Sequence, residues 1–439
     1  MKQDDARKIL QQGHNVLLTG AAGSGKTYLL ESFANWARDQ KSKVSVTATT
    51  GLAATNINGT TIHNWSGIGV RNQTQLEDKD TIRNIVNNML PRYQQAIKRT
   101  DILIIDEVSM LHSYQLEAID KIVRGVRENQ NLFGDMQVVL CGDFFQLSPI
   151  TQRGEQLHFI IESTAYQNGK FEVCYLEEFY RHNKDDSLTK LLNAIRANNF
   201  TRIHWNILNS RINKQLHAST ITKICTTNKQ ADDINKIHLD ELPGDSKEYI
   251  QQSEGEGQPM RELLKICKNK VVPQLYLKVG SVVMFNKNEP TGKYFNGSLG
   301  KVVSFSDDGW PNVQLNDKIE DEQIVPGKLL NDIKFTDFYT EDENGQRLAT
   351  IRQLPLKLAW AITVHKSQGM TIDAARIDLS NTFADGLGYV ALSRVRSIQD
   401  LSITGINNRA VRVNQIALSL ENRLQELSAR TQNLIHDDE

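Results

Sequence analysis

An α/β fold with two tandem doubly wound domains and an inserted β module is predicted by three features of this 439-residue chain. The first is a series of short, continuously apolar, β-rich runs with helix-like segments between them: NVLLTG (15–20), VSVTA (44–48), DILIID (101–106) and QVVLC (137–141). Continuous rather than alternating apolar runs suit parallel strands covered on both faces. Strand, loop and helix in repetition mark a doubly wound sheet. The second feature is a further series of the same kind, FEVCYL (171–176), TKICTT (222–227), LAWAITV (358–364), AARIDL (374–379) and DLSITG (400–405), which predicts a second such domain. The third is an interruption of that series. A Gly/Pro/acidic loop lies within 240–260, and KVGSVVMF, GKVVSFSDDGWPNVQL and turn-rich segments follow up to about 345, reading as a small antiparallel module. Near the C-terminus Ile416, Leu420, Leu424 and Leu427 share one helical face, which reads as core packing.

Composition narrows the function classes. Hydrophobic residues at 39% and charged residues at 23% are globular proportions. The net charge of -1 means that any nucleic-acid binding must come from a local basic groove. No apolar run approaches the ~18 residues a spanning helix needs, and MKQDDARKIL has no apolar signal core, so neither membrane insertion nor export is expected. The four cysteines (Cys141, Cys174, Cys225, Cys267) form no CxxC pair and read as free thiols in a reducing cytoplasm.

Gly20-Ala21-Ala22-Gly23-Ser24-Gly25-Lys26-Thr27 matches G-x-x-x-x-G-K-[ST] between a strand and a helix-like TYLLESFANWAR. Glycines there turn successive N–H groups toward a phosphate, and the helix N-terminus adds positive potential. Lys26 is expected on the β- and γ-phosphates and the Thr27 hydroxyl on Mg²⁺. In ILIIDE, Asp106 and Glu107 stand at the C-terminal end of a strand, where ligands sit in open α/β sheets. Asp106 is the expected Mg²⁺ partner and Glu107 the general base for the attacking water. These residues imply a Mg²⁺-dependent nucleoside triphosphatase.

VVLCGDFFQLSPI (138–150) resembles the third block of superfamily-one helicases, and the chain from about residue 15 resembles the Pif family, relatives of RecD. The likeness runs through TATTGLAATNINGTTIHNWSGIG (47–69), YQLEAIDKIVRGVRENQNLFGDMQ (114–137), LKVGSVVMFNKN…YFNGSLGKV (277–302), AITVHKSQGMTID (361–373) and GYVALSRVRS (388–397). It implies two RecA-like domains, with an SH3-like insert and a small wedge at about 62–75. The expected division is 1–165 for the first domain, 166–236 with 350–439 for the second, and 237–349 for the insert. The resemblance also implies that Gln146 senses the γ-phosphate and that Arg181 and Arg394 are arginine fingers from the second domain, a device worth ~10³–10⁵ in rate. Gly369 is expected to allow close backbone approach near the phosphates. Gln3 is the candidate for the N-terminal Gln that reads adenine in many members, and the preference for ATP over GTP rests on it. The long N-terminal extension and organelle presequence of eukaryotic relatives are not expected, and a bacterial cytoplasmic or nucleoid setting is.

A motor on single strands needs phosphate contacts without sequence readout, together with flat side chains for bases. The blocks point to Thr49, Gly51, Thr61 and His63 in the first domain and to His365 and Lys366 in the second, with Asn296 and Gly297 joining from the NGS turn. Trp65 and Phe144 or Phe145 are candidate stacking or strand-separating surfaces, one of the phenylalanines being expected inside. Taken together, the resemblance implies an ATP-driven 5′-to-3′ DNA helicase, monomeric when free, acting on single strands and single–double strand junctions. G-quadruplex DNA and RNA–DNA hybrids are further family substrates. The alternatives are a RecD-like ATPase or translocase subunit requiring partners, and a nucleotide-gated DNA-binding module.

Overall fold

The computed structural model describes residues 1–439 except 58, 70, 150, 152–155, 178–186, 217–220, 268–270, 288, 290, 295, 317, 321–322, 326, 342–345, 371, 373 and 437–439. Two compact units result. One comprises Met1–His204, Ala384–Ser393 and Asn408–Glu439, the other Trp205–Phe383 and Arg394–Asn407.

In the first unit α1 (Gln3–Gln11), β1 (Val16–Gly20), α2 (Lys26–Asp39), β2 (Val44–Ala48), α3 (Gly51–Asn56), β3 (Thr60–Thr61) and α4 (Ile62–Trp65) lead to β4 (Ile102–Asp106), β5 (Gln137–Gly142) and β6 (Glu172–Leu176). The strands form a six-stranded parallel sheet in the order β3-β2-β4-β5-β1-β6. Val16, Leu18, Ile104 and Val139 from the sheet pack with Leu29 and Phe33 of α2, so the run before the phosphate loop is buried. The helices Gln73–Glu77, Lys79–Asn87 and Pro91–Arg99 pack on the helix Ser113–Arg127. The expected wedge stretch begins with anchored residues, because Ile62, Trp65 and Ile68 are all buried.

The domain boundaries differ from the expected ones. The run 171–176, assigned to the second series, pairs with β1 at Val16↔Glu172 and so closes the first sheet. Its outer amides are covered by the C-terminal helix Gln415–His436: the Tyr175 N–H donates to Ser428 Oγ at 2.9 Å and the Val173 N–H to Thr431 Oγ1 at 3.3 Å. That helix therefore belongs to the first unit. Its buried stripe is Ala417, Leu424, Ser428 and Thr431, whereas Ile416 is exposed. Two hydroxyls satisfy an edge strand that has no further strand beside it.

The second unit holds a four-stranded parallel sheet in the order Ala361–Thr363, β7 (Thr222–Cys225), Ala375–Leu379, Leu401–Ile406. The helix Asn228–Glu241 packs on it, so the insertion starts after residue 241 rather than at 237. It also ends later than 349. The strand Leu356–Leu358 completes a five-stranded antiparallel sheet with Val282–Phe285, Leu299–Phe305, Pro311–Leu315 and Leu329–Leu330. Val283, Phe285, Val302, Val313 and Leu356 form its core. The run 358–364 had looked like one strand; it is two, broken at Ala359–Trp360. All four cysteines are buried and none forms a disulfide, and no helix among the described residues is long and apolar enough to cross a membrane.

Candidate nucleotide and nucleic-acid site

The C-terminal edge of the first sheet gathers the nucleotide residues. Gly20, at φ 142°, ends β1 so close to β6 that a Cβ would stand 2.6 Å from the Leu176 carbonyl oxygen. Gly25, at φ 81°, caps α2 and leaves its first-turn N–H groups open to an anion. The Lys26 ammonium donates to the carbonyl oxygens of Gly20 and Ala21, both at 2.9 Å. Those oxygens occupy the donors that a phosphate would otherwise take. The Ser24 hydroxyl is buried with no hydrogen-bond partner, a second sign that the loop is shaped for a polar ligand. Gln3 of α1 donates to the carbonyls of Ser24 and Gly25, both at 3.3 Å, so the expected adenine reader does lie against the phosphate loop.

Asp106 ends β4 and is 7% exposed. Burial pushes its carboxyl above the usual range, against the Glu107 N–H, the Cys141 thiol and the Lys26 charge, which all favour the anion. The exposed Thr27 hydroxyl and the Asp106 carboxylate are hard oxygen donors of the kind Mg²⁺ takes alongside phosphate oxygens. No group of three or more His, Cys, Asp or Glu able to hold a metal exists among the described residues. Glu107 has φ 56° and ψ 39°, a left-handed conformation uncommon for a side-chain-bearing residue.

Residues from distant parts of the sequence brace this edge. Asp143 and Gln146 follow β5, with Gln146 Nε2 donating to Asp143 Oδ2 at 3.4 Å and Gln146 Oε1 buried without a partner. Arg196 pairs with Asp143 at 2.7 Å and Glu421 at 2.9 Å, and its guanidinium lies 4.2 Å from the Phe145 ring centroid. Burial works against both charges of the Arg196–Asp143 pair. Even so, Arg196 holds the Asp143 carboxyl below its ordinary range, and Asp143 with its neighbours raises Arg196 well above its own. The Tyr389 hydroxyl accepts from Arg196 at 3.1 Å, accepts the Ala22 N–H at 3.1 Å and donates to Asp143 at 3.1 Å. Ala22, expected to bind nucleotide, thus has its amide engaged by a phenol. Sequence reasoning missed Asp143, Arg196 and Tyr389. One signal was available: Arg196 follows Thr189 and Leu192 on the buried face of the helix Ser187–Arg196.

The strand-contact candidates of the first unit also meet at this edge. Thr61 of β3 lies opposite Ala48 of β2, and Ala48 opposite Asp106. Thr49 donates through its hydroxyl to the Glu107 carbonyl at 2.8 Å. Gly51 opens α3, and Thr61 caps α4 by accepting the Asn64 N–H at 3.3 Å. His63 Nε2 lies 3.4 Å from Gln115 Nε2.

Trp65 and Phe144 require correction as stacking surfaces. Trp65 is 4% exposed and donates its indole N–H to Ser45 Oγ at 3.3 Å, while Phe144 is 3% exposed and meets Phe159 edge-on. Phe145 is buried as well, under Arg196. Each fills the core of its unit, so none offers a face to a base.

In the second unit Ser367–Met370 form a type II turn: Gln368 has φ -59° and ψ 138°, Gly369 has φ 75°, and the Met370 N–H donates to the Ser367 carbonyl at 3.0 Å. The turn itself therefore demands Gly369. Arg394, 1% exposed, donates to the Ser367 and Met370 carbonyls at 3.2 and 3.3 Å and clasps this turn. Gly297, at φ 90°, rests against Met370, with a Cβ there 3.0 Å from Met370 Cε, so the Asn296–Gly297 turn meets the end of the Ser367–Met370 turn. Arg181 lies outside the described residues.

A profile of PIF1-like helicases matches residues 4–218. A Psychrobacter protein named ATP-dependent DNA helicase Pif1 is 36% identical, the match covering 100% of this chain and 73% of that one. The chain spans 64% of the length of its Xenopus laevis and Danio rerio relatives. Among solved structures, the Pif1 helicase from Candida albicans is similar at a TM-score of 0.81 and 29% identity, covering 96% of this chain and 98% of that one. Bacteroides Pif1 bound to ssDNA is similar at 0.70 and 28%, covering 96% and 95%. With its phosphate loop, carboxylate pair and Gln146 loop on one sheet edge, this chain belongs to the PIF1-like helicase family.

Proposed function

We propose that this chain is an ATP-dependent DNA helicase that travels 5′-to-3′ along single-stranded DNA and separates duplex ahead of it. One observation supports the reading: Thr49, the first of the candidate strand contacts, donates to the backbone of Glu107 at 2.8 Å, so the residues proposed for strand contact and for hydrolysis lie on one sheet edge. Lys26 leaves the two carbonyls that hold it for the β- and γ-phosphate oxygens. Thr27 and Asp106 would hold Mg²⁺, which neutralises charge on those phosphates when bound. Glu107 takes the proton of the attacking water, and Gln146 senses the terminal phosphate by donating from its side-chain Nε2, with Oε1 positioned to accept from that water. Arg181 and Arg394 are the candidates for guanidinium contact with the phosphoryl group in transfer. Thr49, Gly51, Thr61 and His63, with Asn296, Gly297, His365 and Lys366, grip the strand without reading its sequence. G-quadruplex DNA and RNA–DNA hybrids are further substrates to test on the purified, free monomer.

The test is ATP hydrolysis with and without oligothymidylate, followed by strand displacement from 5′-tailed and 3′-tailed forks. DNA should stimulate hydrolysis, and only the 5′-tailed fork should open. A rate indifferent to DNA would remove the motor; opening of the 3′-tailed fork alone would reverse its direction.

A further inference from the structure

The loop that follows β5 is pinned along its backbone, whereas the Gln146 side chain is held by one long hydrogen bond. Gly386, at φ 83°, opens the helix Leu387–Leu392 close against the loop. A Cβ there would stand 2.9 Å from the carbonyl oxygens of both Phe145 and Gln146. Asn414 donates to Ser148 Oγ at 3.3 Å, and the Gln146 N–H donates to the Asp143 carbonyl at 2.9 Å. The Asp143 carboxylate takes two donors on each oxygen. Its Oδ1 accepts from the Arg196 guanidinium at 2.7 Å and from the Phe145 N–H at 3.2 Å. Its Oδ2 accepts from the Tyr389 hydroxyl at 3.1 Å and from Gln146 Nε2 at 3.4 Å. The Gln146 bond is the longest of these, so it aims the amide without locking it.

That bond decides which way the amide faces. An ionised carboxylate accepts and cannot donate, and Arg196 keeps the Asp143 carboxyl below its ordinary range. The end of the amide turned toward Asp143 is therefore the NH₂ group. The carbonyl Oε1 faces away, buried and without a partner. A buried acceptor left empty is incomplete until a donor reaches it. Water can supply that donor, whereas the oxygens of an ionised phosphate only accept. The second proton of Nε2, which Asp143 does not use, is the one a phosphate oxygen can take. Turned the other way, the amide would set its oxygen against the carboxylate and offer the water no acceptor.

We infer that Asp143 is a positioning residue for hydrolysis: it fixes the flip of the Gln146 amide, leaving Oε1 for the attacking water and an Nε2 proton for the terminal phosphate. Arg196 and Tyr389 act behind it by filling its other lone pairs. This rests on the reading above that places Gln146 beside the terminal phosphate.

The test exchanges an acceptor for a donor at one atom. In Asp143→Asn the oxygen that faces Arg196 and the Phe145 N–H must remain an acceptor, which puts the new NH₂ group where Oδ2 stood. Gln146 then meets a donor and turns its Oε1 toward it. ATP hydrolysis in the presence of oligothymidylate is measured for wild type, Asp143→Asn, Gln146→Ala and the double variant, each checked by thermal melting. The kcat of Asp143→Asn should fall about 10²-fold, the cost of misplacing a reacting group, with the KM for ATP changed far less. In the Gln146→Ala background the asparagine should cost nothing further, because residues that act through one contact are not additive. A wild-type kcat in Asp143→Asn overturns the inference alone. So does an equal loss in both backgrounds, because Asp143 would then act without Gln146. Hydrolysis at the wild-type rate in Gln146→Ala would overturn the reading of Gln146 with it. Should Asp143→Asn fail to melt cooperatively, the decision passes to wild type labelled with heavy-nitrogen glutamine, whose Gln146 side-chain signals are those missing from Gln146→Ala. One Nε2 proton displaced downfield, as a bond to carboxylate requires, supports the inference; two protons at ordinary glutamine positions overturn it.

Discussion

The hydroxyl of Tyr389 accepts the backbone N–H of Ala22 at 3.1 Å, across 367 positions of sequence. It also donates to Asp143 and accepts from Arg196, which uses its one proton and both lone pairs. The phosphate loop and the Gln146 loop are thus set by a single atom. Tyr389→Phe keeps the ring and removes that atom, leaving a buried amide and a buried carboxylate each one partner short. A cost of about 1–3 kcal/mol in stability is expected. The altered loop should also raise the KM for ATP several-fold. Steady-state kinetics and thermal melting check both, and wild-type values in both would show the hydroxyl to be incidental.

Arg196 bears more of the load. It joins Asp143 at 2.7 Å and Glu421 at 2.9 Å, and Glu421 accepts from Tyr175 at 2.6 Å. Arg196→Met strands two carboxylates, and breaking a buried pair by removing one partner costs about 3–5 kcal/mol. Lysine should rescue little, because a point charge cannot reach both acids while lying flat on Phe145. Chemical denaturation of both variants decides this; a lysine variant as stable as wild type would contradict it.

What could be read from the sequence, and what could not, follows the range of the forces involved. The strands 16–20, 44–48, 102–106 and 137–142 declared themselves as unbroken apolar runs, and the phosphate loop declared itself by spacing, because both are local. The destination of 171–176 was hidden, since a buried strand looks the same whichever sheet accepts it. Trp65 and Phe144 were misread because only tertiary packing decides whether an aromatic face meets water or a neighbour. Asp143, Arg196, Tyr389 and Glu421 are ordinary residues one at a time, and become a network only when folding joins them.

Lys26→Ala should separate chemistry from strand binding. The ammonium donates to the carbonyls of Gly20 and Ala21, two contacts within its own loop, so its loss leaves the fold little changed. Removing a charge aimed at developing negative charge costs about 10²–10³ in rate or more. Hydrolysis should fall by that factor while anisotropy still reports oligothymidylate binding. Loss of both activities together would mean that the loop supports the strand surface as well.

His63 gives the protein an acid limb. Burial holds its imidazole below the usual range, so the unfolded chain takes up that proton at a higher pH than the folded one. Across the interval between the two values the unfolded state binds more protons. Stability therefore rises with pH there and is lost as pH falls below about 6.5. Melting temperatures recorded from pH about 7.5 down to about 5 should decline, and His63→Gln should decline less. Parallel curves for the two proteins would place the acid limb elsewhere.

Glu107 combines strain with chemistry, and two substitutions separate them. Its left-handed backbone, φ 56°, costs roughly 1–2 kcal/mol for a residue with a Cβ. The Thr49 hydroxyl at 2.8 Å from its carbonyl helps to hold that conformation. Glu107→Gln keeps the shape and removes the base, so the melting temperature should stay put while hydrolysis falls by about 10²–10⁴. Glu107→Gly removes the base and relaxes the backbone, since glycine occupies positive φ without penalty. It should be as inactive as the glutamine variant yet melt no lower than wild type. If Glu107→Gly melts well below Glu107→Gln, the side chain contributes packing that outweighs its strain, and the left-handed turn is then a consequence of that packing rather than a cost carried for catalysis.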